Sequence, residues 1–144
     1  MIVRDCLGET KLAACKGVYA DWEVDTTEAC AVLYGLQVCG EAGLRKIELE
    51  TDSKTIAEAL NRRTQLQNYT SIFIQDALGM GEFFDVVSFS HVRRNANMVA
   101  HKLARLALQF EGGKIWFTDI PPCITNVLEL EKPCDHVDGN ELCE

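Results

Sequence analysis

A chain of 144 residues, 47% of them apolar, supports one domain around a single buried core. Its net charge of −8 argues against a protein that simply coats nucleic acid. No apolar run approaches the roughly 18–20 residues that span a bilayer, and Met1-Ile2-Val3-Arg4-Asp5-Cys6 lacks the basic-then-apolar order of a secretory signal. An intracellular protein without membrane contact is therefore expected.

The charge is unevenly spread. Residues 129–144 hold six acids (Glu129, Glu131, Asp135, Asp138, Glu141, Glu144) against Lys132, a local −5 that leaves −3 for the rest. Basic residues cluster instead at Arg45-Lys46, Arg62-Arg63, Arg93-Arg94 and Lys102/Arg105, so local patches say more about partners than the total does. The seven cysteines are odd in number, and Cys30 and Cys39 fall inside apolar periodic segments. Buried free thiols in a reducing compartment fit that pattern better than disulfides.

In chain order, Met1 to Arg4 and Leu12 to Tyr19 read as strands, joined by turn residues Asp5 to Glu9 into a hairpin. A long helix is expected from about Thr26 to Ala42, apolar on most faces (Ala29, Val32, Leu33, Leu36, Cys39), as suits a helix packed tightly on a sheet. Gly43 followed by Leu44 predicts a Schellman stop. A strand over Ile47–Thr51 precedes a helix over Ser53–Leu60, and Ser53 has the chemistry of its N-cap. Further elements are a helix from about Tyr69 to Met80, a strand from Phe84 to Ser90, a loop from His91 to Ala96, and a helix from about Asn97 to Phe110. The stripe Val99, Leu103, Leu106, Phe110 marks that last helix as amphipathic. Gly112-Gly113 is expected to end it, with Pro121-Pro122 barring regular structure soon after and a disordered acidic tail from about Lys132. The order β-β-α-β-α-α-β-α implies an α/β fold, a mixed sheet with helical cover.

The chemistry concentrates around one run. In Ile47-Glu48-Leu49-Glu50-Thr51-Asp52 the acids alternate with apolar residues, and Asp52 falls where a strand gives way to a helix, a common place for active-site groups in α/β proteins. A plainer reading makes Asp52 a turn residue that helps Ser53 cap its helix. Glu28 likewise has an alternative, because Asp25-Thr26-Thr27-Glu28 matches a capping box with the acid at N3. Arg93-Arg94 would serve as a phosphate-binding pair or as a solvated loop pair. Trp22 and Trp116 read as packing residues. Cys134, His136 and Cys143, with Cys123, lack the paired spacing of a zinc site.

Four segments together resemble a known family. They are Thr27-Glu28-Ala29, Glu50-Thr51-Asp52-Ser53, the block from Ser90-His91-Val92-Arg93-Arg94-Asn95-Ala96-Asn97 to His101-Lys102-Leu103-Ala104, and Trp116 with Asp119-Ile120-Pro121-Pro122. In this order they resemble the ribonuclease H type 1 domain, in its plant retroelement-derived branch, over residues 1 to about 125. The resemblance implies a ribonuclease H-like domain over 1–125 and an acidic tail over 126–144. It further implies a nuclease acting on the RNA strand of RNA–DNA hybrids with Mg²⁺ or Mn²⁺, sensing 2′-hydroxyls. Carried over, Glu28 is the helix acid, Asp52 the strand-end acid and His91 the loop histidine. Arg93, Arg94 and Asn97 would meet nucleic acid.

Two departures qualify this. The family's first aspartate lies on a central strand that should precede the hairpin, and the position of its fourth carboxylate is held by His101. Two metal ions bring +4 of charge, against −2 from Glu28 and Asp52. His101 would serve as a nitrogen ligand better suited to Mn²⁺ or Zn²⁺ than to Mg²⁺. Weak or absent hydrolysis is expected. So is an open strand edge, to be completed by upstream polypeptide or by another chain. The competing readings are a hybrid nuclease, a non-catalytic nucleic-acid-binding remnant, and a protein-interaction module of a degenerate retroelement.

Overall fold

The first hairpin shows how short-range chemistry sets the frame. In the computed structural model, which describes residues 1–131, β1 (Ile2–Arg4) pairs antiparallel with β2 (Thr10–Lys16) in the register Ile2↔Ala13 and Val3↔Leu12, with a bulge before Arg4. The Asp5 carboxylate accepts from the backbone N–H groups of Leu7 and Glu9, at 2.9 Å each, and Gly8 takes the positive φ the turn needs. The Lys11 ammonium, 2.7 Å from Asp5, holds that carboxyl below its usual range.

The chain divides into two compact units. The first comprises Met1–Val18 and the segment from Met98 onward. Here β2 is central, because β5 (Gly113–Trp116) pairs with its other edge in the register Ala13↔Trp116 to Lys16↔Gly113. Leu12, Ala13, Ala14 and Cys15 are all buried, so both faces of β2 are covered. Helix α4 (Met98–Ala107) packs Val99, Leu103 and Ala107 against Ala13 and Cys15, and Ile124 of α5 (Pro122–Leu130) completes the cluster. The fit is close at Gly17, where a Cβ would come 2.8 Å from the Ala107 carbonyl oxygen.

The second unit is Tyr19–Asn97. Strands β3 (Lys46–Thr51) and β4 (Val86–His91) run parallel, in the register Lys46↔Val86 to Thr51↔His91. Between them lie α2 (Lys54–Arg62) and α3 (Thr70–Gly81), and α1 (Val24–Glu41) comes before. Helix α1 buries Ala29, Val32, Leu36, Val38 and Cys39, and it ends as the glycine predicts. Gly43 has φ +77°, and the Leu44 N–H reaches back to the Cys39 carbonyl at 3.0 Å. Ser53 caps α2 by accepting from the Ile56 N–H at 3.3 Å.

The mixed α/β architecture with helices flanking the sheets matches expectation, but several details differ. The strands form two hydrogen-bonded groups, β1-β2-β5 and β3-β4. Strand β2 ends at Lys16, short of Tyr19, and α4 ends at Ala107, short of Phe110. Strand β5 begins at Gly113, directly after Gly112. The prolines start a helix instead of preventing one. Pro122 sits in the first turn of α5, where an N–H has no intrahelical partner and a fixed φ suits the helix. The boundary expected after residue 125 therefore falls inside α5. The remaining tail, with Cys134, His136 and Cys143, lies outside the described residues.

No disulfide joins the described cysteines. Cys39 is buried and Cys30 half-buried, and burial pushes the Cys39 thiol up. No described helix is long and apolar enough to cross a membrane.

The end of α5 is anchored by one carboxylate. Glu131 accepts from the Val99 N–H in the first turn of α4 at 2.8 Å, and its other oxygen lies 2.8 Å from Arg4 of β1. Arg4 also donates to the Glu131 carbonyl at 3.0 Å. With the Glu131 side chain 7% exposed, both bonds are charge-assisted and shielded from water. Glu131→Ala is expected to lower the unfolding free energy by about 2–3 kcal/mol in urea titration, and Glu131→Gln by less.

Candidate active site in the β3–β4 unit

The candidate site is built at the C-terminal ends of two parallel strands. The Val92 N–H donates to the Thr51 carbonyl at 2.9 Å, carrying the β3–β4 pairing one residue past the strand and fixing Asp52 beside His91-Val92. Thr51 is buried, and its hydroxyl accepts from the Ser53 N–H at 3.1 Å. Helix α2 is thus capped without Asp52. The turn and capping work assigned by the plainer reading is done by Thr51 and Ser53, and no hydrogen bond or ion pair among the described residues uses the Asp52 carboxylate.

Glu28 is placed by α1. The helix begins earlier than the sequence suggests, with N-cap Glu23 making no side-chain cap bond and the Thr27 N–H donating to the Glu23 carbonyl at 3.1 Å. Glu28 is therefore five residues past the cap, in the second turn, and it cannot act as the N3 acid of a capping box. It is half-buried, and burial pushes its carboxyl above the usual range. The Asp52 carboxylate adds to that shift, the Arg94 guanidinium opposes it, and Asp25 adds a smaller push. Asp52 and Arg94 thus both act on Glu28, with opposite signs.

The other expected residues follow the loop after β4. His91 is exposed at the strand end. Arg93 precedes a single 3₁₀ turn over Arg94–Ala96, and half-buried Asn97 closes it. Arg93 and Arg94 are both exposed. His101 stands half-buried in the first turns of α4, in the other compact unit. The sequence placed Arg94 against phosphate only. Its action on Glu28 depends on a contact far apart in the chain, which no local spacing signals. Among the described residues no group of three or more acids, histidines or cysteines is arranged to hold a metal.

Comparisons with known proteins fit this geometry. The reverse transcriptase-like family model matches residues 1–107. The chain belongs to the reverse transcriptase-like family. No curated protein matches it. Among solved structures it is similar to ribonuclease H1 from the halophilic archaeon Halobacterium salinarum NRC-1, at 22% identity and a TM-score of 0.58, over 68% of this chain and 85% of that one. It is also similar to the N-terminal ribonuclease H domain of a Mycobacterium tuberculosis protein, solved as a fusion with maltose-binding protein. There the identity is 17% and the TM-score 0.55, over 68% of this chain and 91% of that one. At such identities the likeness carries the fold alone: this chain has a ribonuclease H-like α/β fold.

The raised Glu28 carboxyl has a sign that can be checked. Its ionisation is less favourable in the folded state than in the unfolded chain, so stability is retained below the ordinary glutamate pKa and lost as pH rises through the elevated folded value. Glu28→Gln is expected to raise Tm by about 1–3 °C near pH 7–8, the gain shrinking to nothing below about pH 4. Thermal melts across that range check it, and a variant less stable at pH 8 would show the charge to be a structural asset.

Proposed function

We propose that this member of the family is a ribonuclease H-like nucleic-acid-binding domain of the plant retroelement-derived branch. In this reading it binds RNA–DNA hybrids through the His91–Asn97 loop and retains at most residual hydrolysis of the RNA strand. The observation that carries the reading is the placement of Asp52 and the His91–Asn97 loop at the ends of the parallel strands β3 and β4, with Asp52 and Arg94 both acting on Glu28 of α1. Two carboxylates suit one hydrated Mg²⁺ or Mn²⁺, which takes one or two such ligands and keeps several waters. They do not balance a pair of ions. When bound, such an ion would supply Lewis-acid activation of water and of a phosphodiester oxygen.

Around that ion the chain's own residues divide the work. Glu28 and Asp52 would hold it. His91, exposed at the strand end, would pass a proton to solvent or to the leaving oxygen. Arg93 and Asn97 would contact phosphate and sugar. Arg94 has two roles in this account, as a phosphate contact and as a partial counter-charge to the carboxylate pair.

A labelled RNA–DNA hybrid incubated with the folded chain and Mn²⁺ tests the catalytic half. Slow cleavage abolished by Asp52→Asn supports it, and none at any metal concentration removes it. Hybrid binding is expected to weaken steeply with salt, and Arg93→Ala to reduce the salt slope by about one. Salt-independent binding, or none, would sink the nucleic-acid reading.

A second reading rests on the β3 edge. The Val86 and Val92 N–H groups donate to the Arg45 and Thr51 carbonyls, so odd-numbered residues of β3 face β4 and even-numbered ones face away. Among the described residues β3 pairs with β4 alone. A further parallel strand, from upstream polypeptide or another chain, would complete it by β-augmentation. The amides of Lys46 and Glu48 are then expected to exchange fast in the isolated chain, while Ile47 and Leu49 are protected. Equal protection of all four in a monomer would remove this reading.

A further inference from the structure

The start of α1 and the start of α3 form one surface that the site does not use. They are stitched by a buried bond between the Thr26 and Thr70 hydroxyls at 2.8 Å, and by Trp22 against Phe73, ring centroids 5.2 Å apart. On α3, Tyr69, Ile72, Phe73 and Asp76 share a face by their spacing of three and four, distinct from the buried face of Thr70, Ile74 and Ala77. The surface is apolar and open to solvent. Tyr69 is 75% exposed, Ile72 52% and Trp22 38%. Scattered exposed apolar residues need no explanation, but exposed apolar residues joined through the Trp22–Phe73 contact make the kind of patch that marks a contact surface.

Its charge says what kind of partner would cover it. Residues 17–44 and 64–92, which supply both helices, contain no lysine or arginine. Asp76 shares the α3 face and Asp21 and Glu23 flank Trp22 in the chain, and none of the ion pairs among the described residues uses them. The Glu23 side chain makes no cap hydrogen bond. A nucleic acid or an anionic lipid surface would bring more negative charge to this face. A second copy related by a two-fold axis would set the same acids against each other. A cationic polypeptide meets neither penalty, since its basic groups would face the acids and the Trp22 and Tyr69 rings, while its apolar residues cover Ile72.

We propose that the Trp22–Tyr69–Ile72 face is a docking surface for a basic, amphipathic polypeptide segment. It is separate from the nucleic-acid reading and goes beyond it. Acidic residues around exposed aromatic and aliphatic anchors provide long-range attraction together with a desolvated centre, the usual division of labour in a protein interface.

The test uses the full chain and a fluorescein-labelled amphipathic helical peptide of lysine and leucine, followed by anisotropy and by tryptophan emission. Binding is expected to shift the emission, and the shift to disappear in Trp22→Phe. Ile72→Ser and Tyr69→Ser should each weaken binding at least about fivefold, and Glu23→Lys should weaken it further at low salt. Glu9→Lys and Glu58→Lys, equal charge changes elsewhere, should leave it unchanged. Equal weakening by those two controls would mean unspecific attraction to an acidic chain and would overturn the proposal. So would absence of binding by the folded protein, or a concentration-dependent dimer that Ile72→Ser dissociates, since the face would then belong to a second copy.

Discussion

The arrangement that organises this molecule is a half-buried carboxylate held beside another. Ionised Glu28 is disfavoured first by lost hydration and then by the Asp52 charge, so the fold carries a local electrostatic strain that it could avoid with a neutral side chain. Ordinary packing offers no reason to keep it. The surrounding structure instead holds the strain in place. The parallel β3–β4 register delivers Asp52 to the strand end, α1 carries Glu28 in its second turn, and the 3₁₀ turn supplies Arg94 as an opposing cation. Perturbed carboxylates cluster at ligand and catalytic sites, and structural charge networks perturb them as well.

The scaffolding has a division of labour that makes this possible. Helix α2 is capped by Ser53, and the Ser53 N–H is taken by the Thr51 hydroxyl, so the turn around Asp52 is satisfied without the aspartate. The start of α1 makes no demand on Glu28 either, because Glu23 caps with backbone alone. Each acid is thereby released from a structural job that its sequence neighbourhood seemed to offer it. Glu131 shows the opposite case. There a carboxylate is consumed by structure, satisfying an N–H of the first turn of α4 and the Arg4 guanidinium together, and nothing remains for chemistry.

What could be read from the sequence follows the range of the interaction. The Ser53 cap, the Gly43 stop, the Asp5–Glu9 turn and the alternation of β3 depend on neighbours within a few residues, and the structure has them. Strand β5 is short and lacks alternation, and its place is set by pairing with β2 across about a hundred residues of chain. Helix α5 was hidden because two prolines read as a barrier, although the second is an acceptable first residue of a helix whose Ile124 has a core to join. The start of α1 moved because its cap is a backbone carbonyl, and backbone caps leave no mark on the sequence. The Glu28 and Asp52 candidates were visible by resemblance, and the Asp52 charge adds to the upward push that burial gives the Glu28 carboxyl. The influence of Arg94 on Glu28 belongs to the class that only a folded chain reveals.

Charge segregation reconciles an acidic chain with a polyanionic ligand. Over residues 17–44 and 64–92 the chain has no lysine or arginine, whereas Arg93 and Arg94 stand together in the loop that closes β4. A phosphate backbone senses charges within about 10 Å at ordinary salt, so a pair of exposed guanidiniums can attract it locally while the total remains −8. The same screening limits how far that attraction extends. Each guanidinium near a phosphate displaces bound counterions, and each acid nearby reduces the gain. Asp25 already contributes to the field at Glu28, so the acidic start of α1 is felt at the site. In the proposed reading a hybrid approaching Arg93-Arg94 would meet attraction on the loop side and repulsion from the α1 side. That asymmetry would orient the hybrid along the loop and leave the aromatic, acidic start of α1 and α3 to a partner of opposite charge.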